Sequence, residues 1–221
     1  WDNVNKNLQA LRINSVRNAA YFTGANAGAK IIAAIADLPA TGGTVDAQGL
    51  EGAQTISSDI LSGITKPVRL LLGAGTYTSS ASVSISSNQK IVGLGPETTI
   101  WVYSGAGIAM SLSAADNVLI SELKISITGA ATDGIKFTDS RRNTVRRVKI
   151  TGGPTRGLYL RGTAGISSWN VCEQLDIDTA ATAVQMDNAA GGAVTHNTFL
   201  QGIFRISPNT GTIVSIAGDG A

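Results

Sequence analysis

From residue 107 onward the chain repeats a short alternation of apolar and polar positions. It opens at Gly107-Ile-Ala-Met110, Gly134-Ile-Lys-Phe137, Gly157-Leu-Tyr-Leu160, Ala183-Val-Gln-Met186 and Gly202-Ile-Phe-Arg205, at intervals of 27, 23, 26 and 19 residues. Each opening but the last is followed by a second strand pattern: Val118–Ile125, Val145–Ile150, Cys172–Ile177 and Val194–Phe199. A unit this short cannot bury its own apolar face, so self-similarity at this period with strand-type alternation predicts a parallel β-solenoid, its coils stacked at ~4.8 Å. The alternation sends Ile135 and Phe137, Leu158 and Leu160, and Val184 and Met186 inward. Lys136, Tyr159 and Gln185 then form one outward column, continued by Phe204 at the fifth opening, with Thr138, Arg161 and Asp187 beside it. Cys172 falls in an inward column with Val145 and Val194, and Asn197 in that of Val148 and Leu175.

Ahead of the repeat the pattern changes. Asn26 is a fitting N-cap for a helix over 26–38, where Ile31, Ile35 and Leu38 share a face before Pro39. Short β-prone runs closed by glycine follow, and no helical period returns. At the N-terminus Trp1, Val4, Leu8 and Leu11 have the three-then-four spacing of a coiled-coil seam. Two heptads support either a trimeric stem that continues upstream or a short arm folded on the domain. The chain therefore divides into a stem or arm over 1–25 and a β-helix domain over 26–221.

Ala36-Asp-Leu-Pro-Ala-Thr-Gly-Gly-Thr-Val45-Asp-Ala47, followed by Leu70-Leu-Leu-Gly-Ala-Gly-Thr-Tyr77, resembles the opening of pectate-lyase-superfamily right-handed parallel β-helices, phage tailspikes included. The resemblance runs from about residue 26 onward. It implies an all-β fold capped at its N-terminal end by one α-helix, with a Gly-Gly-x-Val strand opening the first coil. The same architecture carries lyases, hydrolases, epimerases, tailspikes and inert fibres, so it specifies fold and leaves function open.

Composition narrows the choices. Hydrophobic residues make up 43% and charged residues 14%, with 26 glycines and 5 prolines, which suits many short strands and tight turns. A formal net charge of +2, without arginine-rich tracts among aromatics, argues against nucleic acid as a partner. No apolar stretch approaches the ~20 residues of a membrane span, so no membrane insertion is expected. The single cysteine, Cys172, forms no internal disulfide and has no ligand-spaced neighbour, so neither covalent staples, a metal nor a cofactor is implied. A start at Trp1 reads as a processed chain or a fragment.

Two surfaces could carry chemistry. The run Arg141, Arg142, Arg146, Arg147, Lys149, Arg156 and Arg161 contains no intervening acid and suggests a site for acidic polysaccharide. Aligning the coils sets Glu122 beside Arg147, Arg146 beside Glu173 and Lys149 beside Asp176, which leaves Arg141, Arg142, Arg156 and Arg161 unmatched. The outward column is the other surface. The Tyr159 ring could stack on a pyranose while Lys136, Gln185 and Arg161 bind hydroxyls or acidic groups. Asp139 and Asp187 are the carboxylates on that face, about 9.6 Å apart over two coils, at the edge of the ~6.5–9.5 Å of an inverting glycosidase. A lyase of the pectate type would need clustered Ca²⁺-binding carboxylates and a base, and no such cluster appears. His196 reads as a surface residue, and Asn117, Asn143 and Asn170 as turn formers.

These readings predict a homotrimeric, tailspike-like appendage module, extracellular or on the virion surface, that presents a polysaccharide-binding face. A secreted polysaccharide lyase or glycoside hydrolase, and a purely structural fibre, are the alternatives.

Overall fold

The two-residue alternation closes the chain into stacked coils, which the computed structural model describes over residues 15–50, 53–179, 181–189, 191–206 and 212–217. On one face, Lys90–Val92 pairs in parallel with the start of Leu119–Ile127, which pairs in turn with Thr144–Thr151; Val171–Glu173 and Thr198–Leu200 follow. Each chain then bends onto a second face. The bend falls at Glu122, Arg147, Gln174 and Gln201, all left-handed, with φ of 60°, 49°, 52° and 52°. The third face is a six-stranded sheet of Val83–Ile85, Gly107–Ser113, Ala131–Thr138, Arg156–Gly162, Thr182–Asn188 and Thr212–Ala217. The protein is thus an all-β parallel β-solenoid, as the repeat predicts.

Inward positions line up coil on coil, so the core is a set of columns. Val45, Leu70, Ile91, Ile120, Val145, Cys172 and Phe199 form one. Ile135 with Leu158 and Val184, and Phe137 with Leu160 and Met186, form two more under the six-stranded sheet. Ile135, Phe137, Leu158 and Leu160 are completely buried. Cys172 is buried too, and burial pushes its thiol up to about 12. At two of the coil openings, Gly134 and Gly157, the core comes close enough to require glycine. A Cβ on Gly157 would lie 2.3 Å from Ile177 Cγ2, and one on Gly134 2.9 Å from Ile150 Cγ2.

The helix, α1 (Ala27–Ala36), caps the N-terminal end of the stack, with the Asn26 Oδ1 accepting from Ala29 N–H at 2.9 Å. It buries Ile31 and Ile35, as the spacing predicts. Just after it, Gly42 at φ +83° sits where a Cβ would meet the Pro67 carbonyl at 1.9 Å, so the Gly-Gly turn admits no side chain. Val16–Asn18 pairs with Thr44–Asp46, which makes part of the segment assigned to a stem an extra strand of the solenoid. The Trp1, Val4, Leu8 and Leu11 seam lies outside the described residues.

Three register expectations are corrected. Phe199, rather than Val194, shares the Cys172 column, because Val194 belongs to a separate two-stranded pairing with Ile166–Ser168. Phe204 packs against Ile177 on the second face, and the member of the outward column that follows Gln185 is Ser215. Asn197 sits one place before the strand, in line with Asn143 and Asn170 rather than with Val148. Those three form a ladder inside the coil. Asn143 Nδ2 donates to Asn170 Oδ1 at 3.0 Å, and Asn170 Nδ2 to Asn197 Oδ1 at 2.9 Å, while each Oδ1 also accepts a backbone N–H. A turn that runs through the interior thereby satisfies its polar groups.

Candidate functional site

The outer face of the six-stranded sheet brings five of the six candidate residues together. Lys136 pairs with Tyr159 and Tyr159 with Gln185, while Thr138, Arg161 and Asp187 make the adjacent column, as the repeat predicts. The side chains, however, lean on one another instead of facing solvent. The Tyr159 ring has Lys136 Nζ at 5.2 Å from its centroid and Arg156 Cζ at 3.9 Å, and its residue is only 3% exposed. Tyr159 is therefore not an open stacking platform. Its hydroxyl donates to the Asp187 carboxylate at 2.7 Å. Burial, and then the Asp187 hydrogen bond and charge, push its pKa up to about 12.

Strict alternation would send Arg156 and Tyr159 to opposite faces. The strand departs from it at Gly157, and the Arg156 guanidinium comes to lie over the ring while forming an ion pair with Asp133, which is 1% exposed. Asp133 and Arg156 are thus the residues of this cluster that the sequence reading missed as partners. The signal was present: aligning Gly134 with Gly157 places Asp133 beside Arg156.

Asp139 stands apart from this cluster. It occupies a left-handed turn, φ 51°, and its carboxylate accepts from Thr163 N–H at 2.7 Å and Gly165 N–H at 3.1 Å, as well as from the Thr163 hydroxyl. Partial burial raises its pKa, but these hydrogen bonds from Thr163, Gly165 and Ala164 outweigh it, and the net shift is downward. A general acid needs the opposite. Asp187 is engaged by Tyr159, by Gln185 Nε2 at 3.2 Å and by Arg161 at 3.7 Å. Both carboxylates are clasps between or within coils.

The basic run is likewise spoken for. Arg147–Glu122 at 3.3 Å, Arg146–Glu173 at 3.7 Å and Lys149–Asp176 at 4.0 Å are the pairs expected from coil alignment. Arg141 and Arg142, read as unmatched, both reach Asp116, at 3.7 and 2.8 Å; Arg156 pairs with Asp133 and Arg161 with Asp187. Each exposed pair contributes little stability, ~1 kcal/mol or less, but together they neutralise the run. Among the described residues, no three of His, Cys, Asp and Glu meet in an arrangement that could hold a metal ion, and no helix is long and apolar enough to cross a membrane.

His196 does lie at the surface, as expected, but not alone. It stacks on Trp169, with ring centroids 4.5 Å apart and planes 10° from parallel, and Trp169 is 59% exposed.

Coil architecture and this polar face define the class, a parallel β-solenoid with one helical cap. No protein-family model matches the chain, and no curated protein matches it. Among solved structures it is similar to a protein of a bacterial virus, Geobacillus virus E2 ORF18, at 14% identity and a TM-score of 0.51. The likeness takes in 97% of this chain and 50% of that one, so the chain spans about half the length of the structure it matches. At this identity the likeness is one of fold.

Proposed function

We propose that the chain is a rigid, non-catalytic β-solenoid module of a virion appendage, tailspike-like in architecture, which presents an outer surface of its coils to polysaccharide. The observation that carries the non-catalytic part is the engagement of Asp139 by the 163–165 loop and of Asp187 by Tyr159, Gln185 and Arg161. Carboxylates engaged in this way hold coils in register, which supports a structural role for both. The virion setting is supported by the shared fold with a phage protein. A homotrimer fits such an appendage, and the heptad spacing of Trp1, Val4, Leu8 and Leu11 supports it from the sequence.

The test is a binding and cleavage assay on the same polysaccharides, reading reducing ends and unsaturated products, with solution mass from light scattering. Binding without cleavage by a trimer is the expected result. Cleavage that disappears in Asp187→Asn would replace this reading with the polysaccharide hydrolase or lyase. A purely structural shaft is the second reading, favoured by the ion pairs that neutralise the basic run; it takes over if no polysaccharide binds.

A further inference from the structure

One turn recurs along an edge of the solenoid. Asn88, Asn117, Arg142, Trp169 and His196 each stand two places before the strand of the first face, with left-handed φ of 64°, 59°, 56°, 59° and 53°. Asn88, Asn117, Arg142 and Trp169 donate their backbone N–H to a carbonyl of the next coil, so their positions stack along the axis. Asparagine tolerates this conformation well and a bulky aromatic residue poorly. Trp169 nevertheless occupies it with 59% of its surface exposed and gains no core burial in return. What it gains is the stack with His196, at 4.5 Å, which holds the indole projecting outward.

The other end of the same edge opens into a groove of about 510 Å³ lined by Asn88, Asn117, Arg69 and Lys90. Arg69 and Lys90 are neighbours on adjacent strands, both exposed, and among the described residues neither has a carboxylate within ion-pair distance. They differ in this from the basic run, whose guanidinium groups are all paired. Two like charges one strand apart repel, and a bound anion relieves both. The two exposed amides line the groove on the side of the aromatic pair, with Asn117 Nδ2 donating to Asn88 Oδ1 at 3.4 Å. Arg142, paired with Asp116, stands between Asn117 and Trp169. Lys90 and the Trp169 turn are three coils apart, roughly 14 Å at the strand spacing.

We infer that this edge is a binding strip for an acidic glycan: the Trp169–His196 stack takes a pyranose face, the Asn88 and Asn117 amides take hydroxyls, and Arg69 and Lys90 take a carboxylate or sulfate carried by the sugar. The inference rests on the glycan-binding reading above and moves the site from the six-stranded sheet to the turn edge. Aromatic faces stack on sugar rings, and a linear edge with one chemical group per coil suits a linear ligand.

A microbial glycan array carrying carboxylated, sulfated and neutral polysaccharides tests it, followed by titration of any retained glycan. Wild type is expected to retain anionic glycans, the carboxylated and sulfated sets telling which anion is read. Trp169→Ala should weaken binding at least tenfold without lowering the melting temperature. Arg69→Ala with Lys90→Ala should weaken it about tenfold at low salt and less at high salt, because exposed charges are screened. Arg161→Ala, which loses only the ion pair with Asp187 on the six-stranded sheet, should leave glycan binding as in wild type. Binding that survives both strip changes overturns the strip while leaving the glycan-binding reading in place. An array on which wild type retains nothing overturns both. A strip change that alters solution mass, with glycan binding intact, makes the edge a subunit contact instead.

Discussion

The Tyr159 hydroxyl lies 2.7 and 2.9 Å from the two oxygens of Asp187, one coil away, and donates to that carboxylate from beneath Lys136 and Arg156. This bond links adjacent coils on a face where the Arg156–Asp133 and Arg161–Asp187 ion pairs also cross from coil to coil. Tyr159→Phe keeps the ring and its two cations and removes only the hydroxyl, so it should cost about 1–2 kcal/mol in denaturant unfolding. Its pH signature is specific. A tyrosine whose folded pKa is raised contributes stability that is complete below its unfolded value near 10 and is lost as pH climbs toward about 12. Wild type should therefore lose stability between pH 10 and 12 more steeply than Tyr159→Phe, and equal slopes would remove the Asp187 bond from the picture.

Asp139 works in the opposite direction. Its folded pKa is lowered from the ordinary 3.8, so its contribution is present above that value and is lost as pH falls through the folded one. Asp139→Asn, which still suits the left-handed turn, should destabilise by ~1 kcal/mol at pH 7. The gap between the two proteins should close in acid. A gap that persists at pH 2 would mean that the loss lies in the turn backbone and not in the carboxylate.

The solenoid was legible because its repeat is one of core contacts. Ile150 and Ile177 press on Gly134 and Gly157, so aligning these two glycines sets the register of the six-stranded sheet through Lys136 and Tyr159, and Ala183 continues it to Gln185. The same rule misled at residue 202. Gly202-Ile-Phe-Arg205 imitates an opening but pairs with Asp176–Thr179 on the second face. Side-chain cover was harder to read than register. Arg156 reaches the Tyr159 ring because the strand breaks its alternation at Gly157, whereas strict two-residue counting sends the two side chains to opposite faces. The stacking of Trp169 on His196 escaped notice for a related reason: the two lie in turns, where neighbours are set by coil stacking and not by spacing along the chain.

The asparagine ladder should be among the most sensitive features of the molecule. Asn170 is completely buried, donates to the Ser140 carbonyl at 3.0 Å and to Asn197, and accepts from both the backbone and the side chain of Asn143. Asn170→Ala strands several of these groups inside the coil, at roughly 1–3 kcal/mol for each left unsatisfied. A total loss near 3 kcal/mol is expected. Asn170→Asp keeps the acceptor but adds a buried charge, so it should be worse at neutral pH and recover partly in acid, as chemical denaturation at pH 7 and pH 4 would reveal.

Phe137 and Lys136 test the in/out register of the six-stranded sheet at two consecutive residues. Phe137 is fully buried between Leu112 and Leu160. Phe137→Ala should therefore cost about 3–5 kcal/mol, the range for removing an aromatic side chain from a packed core. Phe137→Asp adds an unpaired charge to the column and should abolish cooperative folding, because each coil is stabilised only by its two neighbours. Lys136 lies over the outer side of Tyr159, where its cation–π contact is worth about 0.5–1 kcal/mol at a half-exposed site. Lys136→Ala should cost no more than that, with the difference read from the midpoints of urea unfolding curves of the two alanine variants. Similar midpoints for Phe137→Ala and Lys136→Ala would place both side chains in comparable surroundings, which the alternation of this strand forbids.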